Sequence, residues 1–271
     1  MSRRSGLGYQ PTWTDPYRFA ALFDAHWGYE IVEGRRRPMH NAKSIRACLS
    51  FLQDFKPHGV VLGGDQLDLG AISHHNKKSK LGVEGLRIQG DMDEFSAQVM
   101  APIEELEPAD LWWLDGNHED WVRQLVDQES GLADTLNIPR MLNLDARGWR
   151  YVPQGGHLDV GKLRFVHGDV LGGADAVAKQ AILEHNHSIA FGHFHTSQQY
   201  VKHSPVDSTA IHIGIAVPAL ANRGPVYGKR RANKWANGFL FGVIFPDGSF
   251  THYVAHIIDG RFWANGKVYE G

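Results

Sequence analysis

The chain predicts a mixed α/β protein: strands alternate with helices, and a β-rich tail follows. Three observations predict it. Over the first two thirds, short apolar runs alternate with segments whose apolar residues recur at helical spacing. From Gln199 to Val268 the pattern becomes almost wholly β. No internal repeat, low-complexity tract or linker divides the 271 residues, a length that one large core accommodates. Residues 1–14 are expected as a flexible N-terminal arm and 15–271 as a single domain.

The elements follow in order. Tyr17 to Phe23 reads as a buried strand, because Phe19 to Phe23 is continuously apolar. Asn41 to Phe55 reads as a helix, with Ile45, Cys48, Leu49 and Leu52 on one face. Val60 to Leu62 is a short strand stopped by Gly63-Gly64. Asp91 to Leu106 is a second helix, limited or kinked by Pro102, which lacks the N–H a helix interior needs. Leu111 to Leu114 is a strand, and a helix starts at Glu119. Trp149 to Val166 predicts two or three antiparallel strands, with turns at Gly155-Gly156 and Gly161-Lys162. Ala174 to His185 is a helix and Ser188 to Phe191 a strand. Phe239 to Phe245 and Phe250 to Ile258 flank Pro246-Asp247-Gly248-Ser249, a hairpin turn.

Composition narrows the function classes. Apolar residues are 42% and charged residues 21%, ordinary for a globular protein. Lys plus Arg is 28 and Asp plus Glu is 30, a net charge of −2 that excludes a uniformly basic nucleic-acid binder. No apolar run is long enough to span a bilayer, and no apolar stretch follows Arg3 and Arg4 as a secretory signal requires. No membrane association is expected. The lone Cys48 excludes thiolate zinc sites and fits a reducing, cytoplasmic setting. The 16 histidines are the informative excess. P-loop, nucleophile-elbow, zincin and dinucleotide fingerprints are all missing.

Polar residues follow each strand of the α/β part. Asp24-Ala25-His26 follows Phe23. Gly63-Gly64-Asp65-Gln66-Leu67-Asp68 follows Leu62. Asp115-Gly116-Asn117-His118-Glu119 follows Leu114. His167-Gly168-Asp169 follows Val166, and Gly192-His193-Phe194-His195 follows Phe191. Open α/β sheets bind ligands outside the carboxyl ends of their strands, so these five segments are expected to converge. Asp24, Asp65, Asn117 and His167 stand 41, 52 and 50 residues apart, which leaves room for strand–helix–strand crossovers. Carboxylates, an amide and several imidazoles form a ligand set for Mn, Fe, Zn or similar divalent ions. Two such ions on a shared carboxylate suit in-line displacement at phosphorus.

In this order the motifs D-x-H, G-D-x-x-D, G-N-H-E, H-G and G-H-x-H resemble the calcineurin-like metallophosphoesterase superfamily, from Asp24 to His195. The resemblance implies a four-layer α/β/β/α sandwich of two mixed sheets flanked by helices. It implies a first metal held by Asp24, His26, Asp65 and His195. A second would be held by Asp65, Asn117, His167 and His193, with Asp65 bridging. It gives a metal-bridging hydroxide as nucleophile, His118 as general acid, and Asp68 as the carboxylate orienting that imidazole. Manganese is the expected metal, with Fe, Zn, Ni, Co or Mg as alternatives.

One departure bears on substrate. The protein Ser/Thr phosphatase branch has Arg-Gly after its second Asp, whereas Asp68 is followed by Leu69-Gly70, although Glu119 echoes that branch. The looser form is more similar to the nuclease and phosphodiesterase branches, including small phage or bacterial types. Basic runs follow the motif strands. They comprise Arg35 to Arg37, then Lys77, Lys78 and Lys80, then Arg223, Lys229, Arg230, Arg231 and Lys234 with Tyr227 and Trp235 interleaved. Basic residues with aromatic platforms suit an extended polyanion. Lys77, Lys78, Arg223, Arg230, Arg231, Trp235 and Arg123 are therefore the candidate substrate contacts. The expected function is a phosphodiesterase or nuclease acting on nucleic acid or nucleotides. The alternative is a phosphomonoesterase for nucleotide, sugar or protein phosphates. His185 and His187 are expected at a helix end and His74 and His75 in a polar loop, outside the ligand set.

Overall fold

A computed structural model describes residues 6–9, 14–73, 83–172, 175–206, 211–222 and 234–271. Its strands are β1 (Gly6–Tyr9), β2 (Tyr17–Leu22), β3 (Tyr29–Val32), β4 (Arg35–Pro38), β5 (Gly59–Leu62), β6 (Asp110–Leu114), β7 (Trp149–Val152), β8 (His157–Val160), β9 (Leu163–Val166) and β10 (Ser188–Phe191). The β-rich tail continues with β11 (Gln198–His203), β12 (Ile211–Ala216), β13 (Asn237–Ile244), β14 (Phe250–Ile257), β15 (Arg261–Ala264) and β16 (Lys267–Glu270). The helices are α1 (Ala42–Phe55), α2 (Ile88–Phe95), α3 (Ala101–Glu104), α4 (Asn117–Gln128), α5 (Ile138–Met141) and α6 (Val177–His185).

Two six-stranded mixed sheets face each other, one in the order β14-β13-β2-β5-β6-β7 and the other β1-β8-β9-β10-β12-β11. In the first, β2, β5, β6 and β7 run parallel, with Ala20 opposite Val60 and Val61 opposite Trp112. In the second, β9, β10 and β12 are parallel. Side chains alternate between faces along a strand, and three apolar layers result. Phe19, Ala21, Val61 and Trp112 meet Leu158, Phe165, Ala190 and Ile215 between the sheets. Ala20, Leu22, Val60, Leu62 and Trp113 turn outward onto Ile45, Cys48, Phe51 and Leu52 of α1 and Met92 and Phe95 of α2. Ile189, Phe191 and Ala216 turn outward onto Val177, Ala181 and Ile182 of α6. The architecture is the α/β/β/α sandwich expected.

Local signals explain the boundaries. Asn41 caps α1, its side-chain oxygen accepting from Ser44 N at 3.1 Å. The second helix widens into a π turn over Ser96–Met100 just before Pro102, whose ring cannot continue the ordinary ladder. The hairpin at 246–249 joins β13 to β14, with Ile244 opposite Phe250. Two expectations change. Trp149–Val152 does not pair with the segments that follow it; it joins the other sheet, parallel to β6, with Leu111 opposite Trp149. Its Trp149 and Val152 serve different apolar layers, a choice that local alternation does not encode. Within the stretch expected as a loose arm, Gly6–Tyr9 pairs in parallel with β8 as an edge strand. Among the described residues no helix is long and apolar enough to cross a membrane.

Candidate metal centre

The carboxyl ends of β2, β5 and β6 open on the same edge as those of β9 and β10. The turns after β2 and β5 run side by side: Asp24 N donates to Gly64 O (3.0 Å), His26 N to Asp65 O (2.9 Å) and Trp27 N to Gln66 O (2.8 Å). This pairing forces unusual backbone. Asp24, His26, Asp65, His193 and His195 all have φ between 47° and 66°, the left-handed region that L-residues seldom occupy. Gly64, at φ 97°, has no room for a side chain, since a Cβ there would sit 2.5 Å from the His167 ring.

Two groups of donors result. In the first, His26 Nε2 lies 3.2 Å from His195 Nε2, and His195 Nε2 lies 3.3 Å from Asp24 Oδ1. In the second, His167 Nε2 lies 3.2 Å from both Asp65 Oδ2 and Asn117 Oδ1. The His193 ring stands 5.3 Å from that of His167. Within each of the sets Asp24–His26–His195 and Asp65–His167–His193, the donor atoms lie within 4.8 Å of one another. Asp65 Oδ2 joins the halves, being also 3.8 Å from His26 Nε2 and 3.9 Å from His118 Nε2. The structure thus brings together all seven residues expected as ligands, and His118 with them.

The outward-facing nitrogens are fixed from behind. His167 Nδ1 donates to Gly63 O at 3.2 Å, which leaves Nε2 for the cluster. His26 Nδ1 faces Asp68 Oδ1 at 3.3 Å. Here an expectation is corrected. The contact of Asp68 with His118 is made through its main-chain carbonyl, which accepts from His118 Nδ1 at 2.7 Å. The Asp68 carboxylate is 4.0 Å from His118 and buttresses His26 instead. The His118 ring also stacks on Trp121 at 3.9 Å.

Electrostatics follow from burial and mutual contact. Burial disfavours the charged form of each group, yet the neighbours prevail. Asp65 is held well below the usual carboxylate range by His167, His118 and His26, against the opposing effect of burial. Asp24 is likewise lowered, with burial opposed by His195 and His167. His167 rises to about 10, burial being outweighed by Asp65, and His26 to about 9, burial being outweighed by Asp68 and Asp65. His118 shifts the other way: burial lowers it more than Asp65 raises it.

Sequence reasoning gave no role to Glu119. It is buried at 2% exposure, and its carboxylate accepts from Asp65 N (2.9 Å), Gly116 N (2.9 Å) and Leu67 N (3.0 Å). The available signal was its place three residues after Gly116 at a helix start. Burial pushes Glu119 up to about 8 and Asp115 up to about 7. Asp115 accepts from Trp113 Nε1 at 2.8 Å and from the Tyr151 hydroxyl.

The candidate substrate contacts fare differently. Trp235 packs edge-on against His195 with ring centroids 4.1 Å apart. Arg123 is bound by Asp120 at 2.6 Å and Asp127 at 2.6 Å, both on its own helix, and reaches no residue of the cluster. Arg36 pairs with Asp91, and Arg37 with Glu30. Lys77, Lys78, Arg223, Arg230 and Arg231 lie outside the described residues, as do His74 and His75. His185 ends α6, and His187 donates from Nδ1 to its neighbour Ser188 O at 2.9 Å.

No family model matches the chain. It is similar to the Gene 54 protein of Mycobacterium phage D29, 24% identical over 253 residues, and to the Gene 54 protein of Mycobacterium phage L5, 22% identical over 253 residues; each match covers 89% of this chain and 97% of the relative. Among solved structures it is similar to a dimetal phosphatase from Danio rerio, at 13% identity and a TM-score of 0.40, over 89% of this chain and 99% of that one.

Proposed function

We propose that the chain is a dinuclear-metal phosphoesterase that hydrolyses phosphodiesters of nucleic acid or nucleotides. One observation carries the reading: Asp65 Oδ2 lies within 3.9 Å of ring nitrogens of His26, His118 and His167, between two donor groups. The donor set fits divalent cations. It is made of carboxylate, amide and imidazole groups, and the Nε2 atoms of His26 and His167 are turned inward by partners on Nδ1. Asp24, His26, Asp65 and His195 would hold one ion, and Asp65, Asn117, His167 and His193 the other. Two bound divalent ions supply Lewis acidity, which polarises phosphoryl oxygens and acidifies water near neutral pH.

The remaining work falls to the chain's own groups. The start of α4 presents backbone N–H groups toward negative charge, and His118 N already donates to Asp65 Oδ1 at 2.9 Å. His118 Nδ1 donates to the Asp68 carbonyl, so the proton for the leaving oxygen comes from Nε2 of the doubly protonated ring, a form that Asp65 favours against burial. Leu69 offers no charge to a phosphomonoester dianion, which favours a diester. Trp235 beside His195 supplies an aromatic face for a base. In the sequence, Lys77 and Lys78 follow Asp68 by nine and ten residues, and Arg230 and Arg231, in the run that starts at Arg223, precede Trp235 by five and four.

The test is an activity panel on purified protein supplemented with Mn: linear and circular DNA, RNA, cyclic nucleotides, nucleoside monophosphates, a phosphopeptide and a synthetic diester. Hydrolysis of diesters in preference to monoesters is expected. Turnover confined to monoesters would replace the reading with a phosphomonoesterase. No turnover on any substrate with two ions bound would overturn it.

A further inference from the structure

We infer that Glu119 is a positioning residue that builds one half of the metal centre and leaves the other half standing, an inference that rests on the dinuclear reading above. A carboxylate three residues into a helix ordinarily closes a capping box, accepting from the N-cap N–H alone. Glu119 does this with Gly116 N, but it also accepts from Asp65 N and Leu67 N, 54 and 52 residues earlier in the chain. Helix capping does not require those two bonds. They clamp the turn after β5 onto the start of α4.

The clamp is tight and local. A Cβ on Gly116 would lie 2.5 Å from Asp65 N and 2.2 Å from Asp65 Oδ1, so the two backbones touch and no other residue fits between them. Asp65 sits at φ 49°, a strained conformation that must be held from outside. Glu119 holds it from one side and aligns Gly116 on the other, and Asn117 follows directly. The ligands that depend on it are therefore Asp65, shared by both sites, and Asn117, which serves only the site of His167; that site loses two supported ligands and the other site one.

The opposite half is paired to this turn, since His26 N donates to Asp65 O at 2.9 Å, but it also has fastenings of its own. The Asp24 carboxylate accepts from His193 N at 2.9 Å and 3.1 Å. Leu220 N donates to Asp24 O at 3.1 Å, and Ala236 N donates to His195 O at 2.7 Å. None of these bonds involves Glu119.

Glu119→Gln tests the inference, because an amide cannot accept at all three positions without placing its NH2 against a backbone N–H. The readouts are Mn stoichiometry and affinity by titration calorimetry, and the Mn(II) EPR spectrum of the loaded protein. Asp120→Asn, a change at the neighbouring buried carboxylate of the same helix turn, whose partners are Arg123 and Gln124 and not the Asp65 turn, serves as the control. Wild type and Asp120→Asn are expected to bind two equivalents with a spin-coupled pair signal. Folded Glu119→Gln is expected to bind one ion within about three-fold of wild-type affinity and the other at least ~10-fold more weakly, the range for losing a partner behind a metal ligand, with an isolated-ion signal. Equal binding of both ions by wild type and Glu119→Gln overturns the inference and leaves the dinuclear reading intact. Equal weakening of both ions also overturns it. A wild type that binds fewer than two ions overturns the dinuclear reading itself, and this inference with it. If Glu119→Gln does not fold, Glu119→Asp decides, since its shorter arm reaches the helix cap or the Asp65 turn but not both. Failure of both variants to fold shows a purely structural role and overturns the positioning one.

Discussion

The two sheets contribute different chemistry to their shared edge. The first sheet, through the turns after β2, β5 and β6, supplies Asp24, His26, Asp65, Asp68, Asn117 and His118. It supplies every carboxylate of the cluster. The second sheet, through the turns after β9 and β10, supplies only imidazoles: His167, His193 and His195. Two pairs that cross between the sheets, His195 with Asp24 and His167 with Asp65, join opposite types, while His26 with His195 joins two imidazoles. Neither sheet alone carries a complete donor set. The site therefore exists only when the apolar layer between the sheets is formed, and its chemistry depends on packing some distance below it.

The largest effect should come from the residue that belongs to both halves. Asp65→Asn is expected to lower bound Mn from two equivalents to at most one and to abolish phosphoesterase activity, read by metal analysis and turnover. A second change separates chemistry from assembly. His118→Asn should leave both ions bound and slow turnover by ~10²–10⁴-fold, the range for losing a general acid; equal metal loss in both variants would show that the two roles are confused. The dependence on the layer between the sheets can be broken directly. Phe165 is fully buried there, edge-on to Phe19 at 5.7 Å. Phe165→Ala should cost about 3–5 kcal/mol in denaturant unfolding, and metal binding should fall in step with the folded fraction.

A subtler consequence concerns the first sheet's surplus of carboxylates. Asp91 of α2 has a pKa raised to about 6; burial is the main cause, Arg36 opposes it, and Glu94 and Asp68 add to it. The folded protein thus keeps a proton that the unfolded chain releases near pH ~4. Stability should fall as pH rises from about 4 to about 6 and then level off. Asp91→Asn should remove that fall, as measured by melting temperature across the window. The smallest effect should come from Arg123→Ala: its own side chain and Asp127 are exposed, and the buried Asp120 keeps a hydrogen bond from Gln124; a solvent-screened pair of this kind contributes about 0–1 kcal/mol, and turnover should not change.

The sheet contrast also explains what was legible in the sequence. Strands that end in short polar motifs mark the rim of an α/β sheet whatever the sheet order, so Asp24, Asp65, Asn117, His167, His193 and His195 could be selected without knowing which strands are neighbours. The placement of Trp149–Val152 could not, because its alternation suits a hairpin as well as a parallel edge, and the pairing with β6, Leu111 opposite Trp149 and Leu114 opposite Val152, is not local in sequence. The left-handed backbone at Asp24 and His26 has no compositional mark; it arises because the turns after β2 and β5 are paired to each other. Asp68 stands beside His118, yet its carbonyl makes the contact, which a motif that names side chains does not show. Glu119 reads as an ordinary helix cap until Asp65 is known to lie beside it.

The central claim is that one carboxylate, Asp65, joins two cation sites on the rim between the sheets. Metal analysis of wild type and Asp65→Asn after saturation with Mn and removal of free ions tests it most directly. Two equivalents on the wild type and no more than one on the variant are predicted. A wild type that retains one ion or none, or a folded variant that still holds two, would contradict it.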